Sequence, residues 1–285
     1  MHKVRVLVLA GYGINCEEET GEAFELAGAE VCIVHLKEIF SERVSLFDFD
    51  IFVFPGGFSY GDDLGAGRVL AQSLKYRKLI SGVSFFQQLL KFLDLGGQIL
   101  GICNGFQILL ILGLLPGIDR NYKQNASLVL NDSGKFEDRW CGCVVPDGVD
   151  VPMFRGVRFL DLPLRHAEGK LVVKDLSVVR EIVNRKLICL KYCDEKGNPT
   201  QVYPMNPNGS FLSCAGLTNP NGQIIGLMPH PEAYLSVYNH PNWGAKLRLN
   251  SKISLDGEGV QLFKNIVQQI KVKKKHDQAS SYKCI

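Results

Sequence analysis

Gly101-Ile-Cys-Asn-Gly105 is the stretch that decides how this chain folds. Gln98 to Ile102 is an apolar run with the length of a buried strand, and Phe106 to Leu112 is apolar and helix-compatible, so Cys103 falls in the tight connection between them. A side chain there stands at the carboxyl end of a strand and at the start of a helix. The unpaired N–H groups and positive dipole end of that helix favour a thiolate over a thiol and offer donors to a developing oxyanion. Gly101 and Gly105 lack a Cβ, which permits strained dihedrals at the turn and close approach of a substrate to the sulfur. From the pentapeptide alone two readings of Cys103 stay open: a nucleophile, or a small buried hydrophobe.

A second cluster, Met228-Pro-His-Pro-Glu232, follows the apolar run Ile224 to Leu227, which reads as another strand. A histidine and a carboxylate two residues apart in an extended, proline-flanked segment project toward the same side, so Glu232 can orient the His230 ring. A base oriented by an acid, next to a thiol, is the general logic of acyl transfer, and its members need only meet in space. A third piece, Phe54-Pro-Gly-Gly-Phe-Ser-Tyr-Gly-Asp-Asp63, follows the strand Ile51 to Phe54. Consecutive glycines after a strand can turn an N–H outward as a donor to a tetrahedral intermediate, or simply make a turn.

Together these pieces resemble the class I glutamine amidotransferases, and within them the glutaminase components of phosphoribosylformylglycinamidine synthase. The resemblance is carried by Pro55-Gly-Gly-Phe-Ser-Tyr-Gly-Asp62, Gly101-Ile-Cys-Asn-Gly-Phe-Gln-Ile-Leu109 with Gly113-Leu-Leu-Pro-Gly117, His166-Ala-Glu-Gly169 and Pro229-His-Pro-Glu232, in that order over most of the chain. It implies Cys103 as nucleophile, His230 as base and Glu232 as its orienting acid. It further implies oxyanion or glutamine contacts at Gly56, Gly57, Asn104 and Gln107. Also implied is a separate synthetase subunit that binds ATP, magnesium and formylglycinamide ribonucleotide, with a small third subunit as a further candidate partner. Two departures stand out: Leu74 to Gly97 is longer and more apolar than a minimal helix connection needs, and Ala233 follows Glu232 where an arginine often stands.

With 285 residues and 46% hydrophobic content the chain is long enough to bury a full core, read here as one domain over 1–285 with a basic tail at about 271–285. A net charge of +3 does not call for nucleic acid. Lys271-Val-Lys-Lys-Lys275 ends an amphipathic stretch from Val260 to Ile270 and reads as lysines complementing the dipole of a last helical turn. Ile108 to Leu115 is too short to span a bilayer, and Met1-His-Lys-Val-Arg5 opens straight into a strand, so the expected address is cytoplasmic. Nine cysteines scattered through apolar runs suit a reducing compartment. Cys141-Gly-Cys143 points both thiols to one face of a strand and reads as core. Cys16 is the rival nucleophile, disfavoured by Glu17, Glu18 and Glu19. Gly11-Tyr-Gly13 is only a fragment of a dinucleotide fingerprint, and no phosphate-binding Gly-x-x-x-x-Gly-Lys-Ser/Thr loop occurs, so no cofactor is expected on this chain.

Short apolar strands alternate with helical segments through the first half: Val4–Ala10, Glu17–Gly28, Val31–Val34, Ile51–Phe54, Leu79–Leu95, Gln98–Ile102 and Phe106–Leu112. The expected fold is a doubly wound α/β domain, flavodoxin-like, with a mainly parallel sheet flanked by helices. Short strands of the second half add an antiparallel flap or extend the sheet. The ligand site then lies at the carboxyl ends of the strands. The expected function is hydrolysis of glutamine to glutamate and ammonia for a synthetase partner. The alternatives are another cysteine hydrolase on this fold (a peptidase, deglycase or γ-glutamyl hydrolase) and a non-catalytic regulatory subunit. The loop Phe58 to Gly67 is the candidate switch, and His166 and Glu168 are left without a role.

Overall fold

The structure, a computed structural model, describes residues 3–119, 121–249 and 254–281. In chain order the elements are β1 (Arg5–Ala10), α1 (Glu17–Leu26), β2 (Glu30–His35), α2 (Leu36–Phe40), β3 (Ile51–Phe54), α3 (Arg68–Tyr76), α4 (Phe85–Asp94), β4 (Gln98–Ile102) and α5 (Asn104–Ile111). The second half supplies β5 (Ala126–Val129), β6 (Glu137–Val144), β7 (Phe159–His166), β8 (Lys170–Val173), α6 (Leu176–Asn184), β9 (Ile188–Tyr192), β10 (Cys214–Thr218), β11 (Ile224–Leu227), α7 (Trp243–Leu249) and α8 (Glu258–Ser281). Nine strands share one sheet in the order β2-β1-β3-β4-β11-β10-β9-β6-β7, while β5 and β8 form a separate pair. From β2 to β11 every neighbour is parallel, the flavodoxin-like arrangement; from β11 to β7 every neighbour is antiparallel. Both expected fates of the second-half strands are therefore realised.

The central parallel strands β3, β4 and β11 are buried on both faces, as their near-continuous apolar sequences require, while the edge strand β2 is partly exposed. Helix α5 is buried from Asn104 through Leu110, so it is a core helix rather than a surface one. Its seat depends on missing side chains. A Cβ on Gly226 of β11 would run into the Phe106 ring and come within 2.7 Å of Leu115 Cδ1, and one on Gly101 of β4 would lie 2.5 Å from Leu109 Cδ1. These two glycines are register partners on adjacent strands.

Several boundaries differ from the sequence reading. The long connection before β4 holds two helices, α3 and α4, because Arg77 leaves the helical region and Ser84 caps α4 with a full capping box to Gln87. Helix α8 continues past Ile270 to Ser281, so Lys271 to Lys275 do not form its last turn. Lys273 Nζ instead donates to the Gly96 carbonyl just beyond α4, and Lys274 pairs with Asp50 at 2.8 Å. The lysine at Gly96 thus complements another helix's carboxyl end. Residues 282–285 of the expected basic tail lie outside the described residues. Cys141 and Cys143 are buried, with their sulfurs 3.8 Å apart on one face of β6. Among the described residues no helix is long and apolar enough to cross a membrane.

Gly226→Ala should lower the stability by about 1–3 kcal/mol through overpacking against Phe106. Urea titration is expected to show a lower midpoint with an unchanged slope, and an unaltered midpoint would contradict the close seat of α5 on β11.

Candidate active site

Cys103 occupies the single residue between β4 and α5, with φ +51° and ψ −103°. The left-handed φ falls on the cysteine itself, not on the flanking glycines; these serve packing, since a Cβ on Gly105 would collide with the Phe54 carbonyl. A non-glycine residue held this way costs on the order of 1–3 kcal/mol and persists only where its surroundings fix it. The fixing contacts are the Cys103 N–H, which donates to Leu227 O at 2.7 Å, and the thiol, which donates to the Arg165 carbonyl at 3.5 Å. The side chain is 6% exposed.

His230 and Glu232 arrive from the neighbouring strand. The register pairs Ile102 with Leu227, so the residues after β4 and β11 leave the sheet side by side, and a separation of 127 positions in sequence vanishes. His230 is followed by a single 3-10 turn, Pro231–Ala233, so the carboxylate reaches the ring by a turn and not by the extended alternation expected from sequence. His230 Nδ1 and Glu232 Oε1 are 2.6 Å apart, and both residues are buried. Burial disfavours the charged ring, but the Glu232 carboxylate and the neighbouring thiols outweigh it and hold the imidazole's pKa well above the ordinary 6.5. Glu232 thereby fixes the ring and leaves Nε2, which has no hydrogen-bond partner, for chemistry.

The loops after β1 and β3 complete the floor. Asn15 and Cys16 N–H groups both donate to Gly56 O at 3.3 Å, and Phe58 N–H donates to Gly13 O at 2.8 Å. The Gly11-Tyr-Gly13 fragment is therefore a prop for the Gly-Gly loop. Gly57 takes φ +147°, where a Cβ would lie 2.7 Å from Ile14 Cα, and its N–H has no partner among the described residues. A Cβ on Gly56 would sit 2.8 Å from His230 Cε1 and 3.1 Å from Cys16 Sγ. Cys16, set aside in the sequence reading, thus lies against the same imidazole. Its thiol pKa is raised, chiefly by burial and secondarily by Glu232 and Cys103 against the lowering effect of His230; its acidic sequence neighbours are not the cause. The available signal was its place after β1, on the same edge of the sheet as the other loops.

Asn104 and Gln107 act as braces. The Asn104 side chain accepts from Ser59 N–H at 3.3 Å and donates to Asp62 at 3.2 Å and Gln107 at 2.9 Å, while Gln107 donates to Glu168 O at 2.7 Å. Glu168 in turn accepts from Ala66 N–H at 3.4 Å, so the loop Phe58 to Gly67 is tied to both α5 and the end of β7. Within that loop the non-glycine residues Tyr60 and Asp62 have positive φ. The backbone N–H of Asn104, in the first turn of α5, has no intrahelical acceptor and is a second potential oxyanion donor.

His166 is a locked core histidine. Its Nδ1 is 3.1 Å from Asn131 Oδ1, an acceptor that also takes Gly169 N–H, and its Nε2 is 3.5 Å from Asn208 Nδ2. This pattern fixes a neutral ring protonated at Nδ1. Burial, aided by the nearby His230 charge, lowers its pKa from 6.5 to about 3. Below pH 6.5 the unfolded chain takes up a proton there that the folded chain refuses, so stability falls as pH drops from 6.5 toward 3. His230, raised instead, is charged in both states over that window and leaves the slope unaltered. Equilibrium unfolding at stepped pH should show a shallower acid loss for His166→Gln than for the parent; identical slopes would contradict a neutral His166.

A strand-turn thiol, a carboxylate-oriented imidazole and two free backbone N–H groups form an arrangement that can attack a carbonyl carbon, shuttle a proton and hold an oxyanion. The CobB/CobQ-like glutamine amidotransferase domain matches residues 3–269. Phosphoribosylformylglycinamidine synthase subunit PurQ of Dehalococcoides mccartyi is 39% identical over 268 residues, covering 94% of this chain and 98% of that one. The PurQ subunit of Methanococcus maripaludis is 39% identical over 272 residues, covering 93% and 96%. Among solved structures, PurLQS from Thermotoga maritima superposes with a TM-score of 0.67 at 27% identity, covering 94% of this chain and 100% of the matched one. The chain belongs to the CobB/CobQ-like glutamine amidotransferase family and stands among its PurQ members.

Proposed function

We propose that this chain is the glutaminase subunit of a phosphoribosylformylglycinamidine synthase and supplies ammonia to a synthetase subunit in purine biosynthesis. The observation that carries the chemistry is the β4–β11 register, which sets Cys103 beside a His230 ring braced by Glu232 at 2.6 Å. The relatives' identity over nearly the whole chain supports the assignment to this synthase. ATP, magnesium and formylglycinamide ribonucleotide belong, in this reading, to the synthetase subunit, and the address is cytoplasmic, where eight described cysteines remain free thiols.

Cys103 Sγ attacks the side-chain amide carbon of glutamine as the thiolate, its proton having passed to His230 Nε2. The tetrahedral oxyanion is held by the N–H groups of Gly57 and Asn104. Collapse breaks the C–N bond, with the proton on His230 delivered to the departing nitrogen, so ammonia leaves and a γ-glutamyl thioester remains. Water, deprotonated by the same ring, then attacks the thioester, and glutamate departs as the thiol regains its proton. Glu232 stabilises the imidazolium at each stage without being protonated itself.

The burial of Cys103, a residue only 6% exposed, also bears on control. Cavities of about 460 and 320 Å³ lie elsewhere, beside Leu114 and Asn219 and beside Trp140 and Cys193. The loop Phe58 to Gly67, with strained residues and exposed Phe58 and Leu64, adjoins the oxyanion donors and is the proposed switch that synthetase contact resets.

Cys103→Ser should abolish glutamine-dependent synthase activity while ammonia-dependent activity of the complex survives; loss of both would contradict the division of labour. His230→Ala is expected to lower kcat for glutamate release by about 10²–10⁴-fold, and Glu232→Gln by less. A Glu232→Gln variant as slow as His230→Ala would overturn that ranking. Glutamate release by the isolated chain should be slow and rise on adding synthetase, ATP and acceptor; an isolated chain already at the full rate of the complex would rule out gating.

A further inference from the structure

The groups around His230 exceed what amide hydrolysis uses. Cys16 Sγ, a ring nitrogen of His230 and a carboxylate oxygen of Glu232 all lie within 4.8 Å of one another, the one such group of three potential metal ligands among the described residues. His230 Nε2 and Glu232 Oε2 are both buried without a hydrogen-bond partner, in residues 3% and 2% exposed. A buried polar atom left unpaired costs about 1–3 kcal/mol, so two at one spot mark a place where a ligand would be favoured. The donor types are a thiolate, an imidazole and a carboxylate. That set is the one zinc selects, and it is poorly matched to magnesium or calcium, which take oxygen ligands.

We propose that Cys16, His230 and Glu232 form an inhibitory zinc site that closes the active site reversibly. Zn²⁺ bound there occupies the lone pairs on which proton transfer depends and parts the carboxylate from the ring. Binding displaces to solvent both the Cys16 thiol proton and the proton on the ligating His230 nitrogen, and forms the Zn–S and Zn–N bonds with no change in redox state. Cys103, whose thiol interacts with the same imidazole, is not one of the three, so inhibition acts through its base and not through the nucleophile itself. The site gives a purpose to a second thiol in a place where hydrolysis needs one. The inhibitory consequence rests on the glutaminase reading, whereas the binding does not.

The test uses the full chain in complex with its synthetase, treated with chelator and then titrated with Zn²⁺ while glutamate release is followed, each variant compared with its own metal-free rate. The parent should be inhibited and recover on adding chelator. Cys16→Ser should require at least about tenfold more Zn²⁺ for half-inhibition, since even outer-shell partners of a metal ligand are worth 10–100-fold in affinity. In parallel, Co²⁺ added to the chain alone should give a thiolate-to-cobalt charge-transfer band that weakens in Cys16→Ser. No inhibition and no cobalt band, or equal zinc sensitivity with and without the Cys16 thiol, would overturn the proposal. A chain inert toward glutamine that still shows the Cys16-dependent cobalt band would sink the glutaminase reading and leave the metal site standing.

Discussion

The parallel pairing of β4 with β11 is the constraint on which the site depends. Four register pairs, from Ile99 with Ile224 to Ile102 with Leu227, fix two strands that are far apart in sequence so that their carboxyl ends emerge together. A slip of one residue would turn every side chain to the other face and separate the thiol from the ring. The register is protected by the paired glycines Gly101 and Gly226, over which α5 packs at close range, and by the Cys103 N–H, which extends the ladder by one bond to Leu227. The helix whose N-terminus faces the thiol is thus seated by the same strands that deliver the histidine.

Around that pair the chain concentrates features that elsewhere would be defects. The nucleophile candidate has a left-handed φ, a histidine and a carboxylate are buried together, and two polar atoms lack partners. Each lowers stability by an amount of order 1 kcal/mol or more, and a buried core of aliphatic and aromatic side chains tolerates them. The antiparallel half of the sheet does more than extend it. Its far strand, β7, returns to the site, where Pro163 O accepts from His230 N–H and Arg165 O accepts from the Cys103 thiol. His166 at the end of that strand is kept neutral by burial, so a second positive ring does not compete with His230. The same closeness that makes a thiol reactive also brings Cys16 into the site.

Much of this was legible in sequence because it is local. The boundaries of β3, β4 and β11 follow from short apolar runs with Pro55, Gly97, or Gly222 and Pro229 close by, and the read strands agree with the observed ones residue for residue. The meeting of Cys103 with His230 was legible only as chemistry that makes sense together, since register between distant strands leaves no mark in either segment. The Cys16 thiolate is disfavoured as expected, but the cause was out of view in sequence: burial beside Gly56 and His230 across the sheet edge, not the acidic neighbours. Helix α3 was missed because its glycine-rich start at Gly65 and Gly67 reads as loop, and the true end of α8 was missed because a lysine run reads as a terminus when its partners, Gly96 and Asp50, are out of view.

The central claim is that β-strand register makes Cys103, and not Cys16, which interacts with the same ring, the sulfur that carries the acyl group. Acid quenching of the complex during turnover with isotopically labelled glutamine, followed by peptide mapping, reads this directly. The account predicts a labelled γ-glutamyl thioester on the peptide containing Cys103 and none on that containing Cys16. Label on the Cys16 peptide, with Cys103 unmodified, would contradict it.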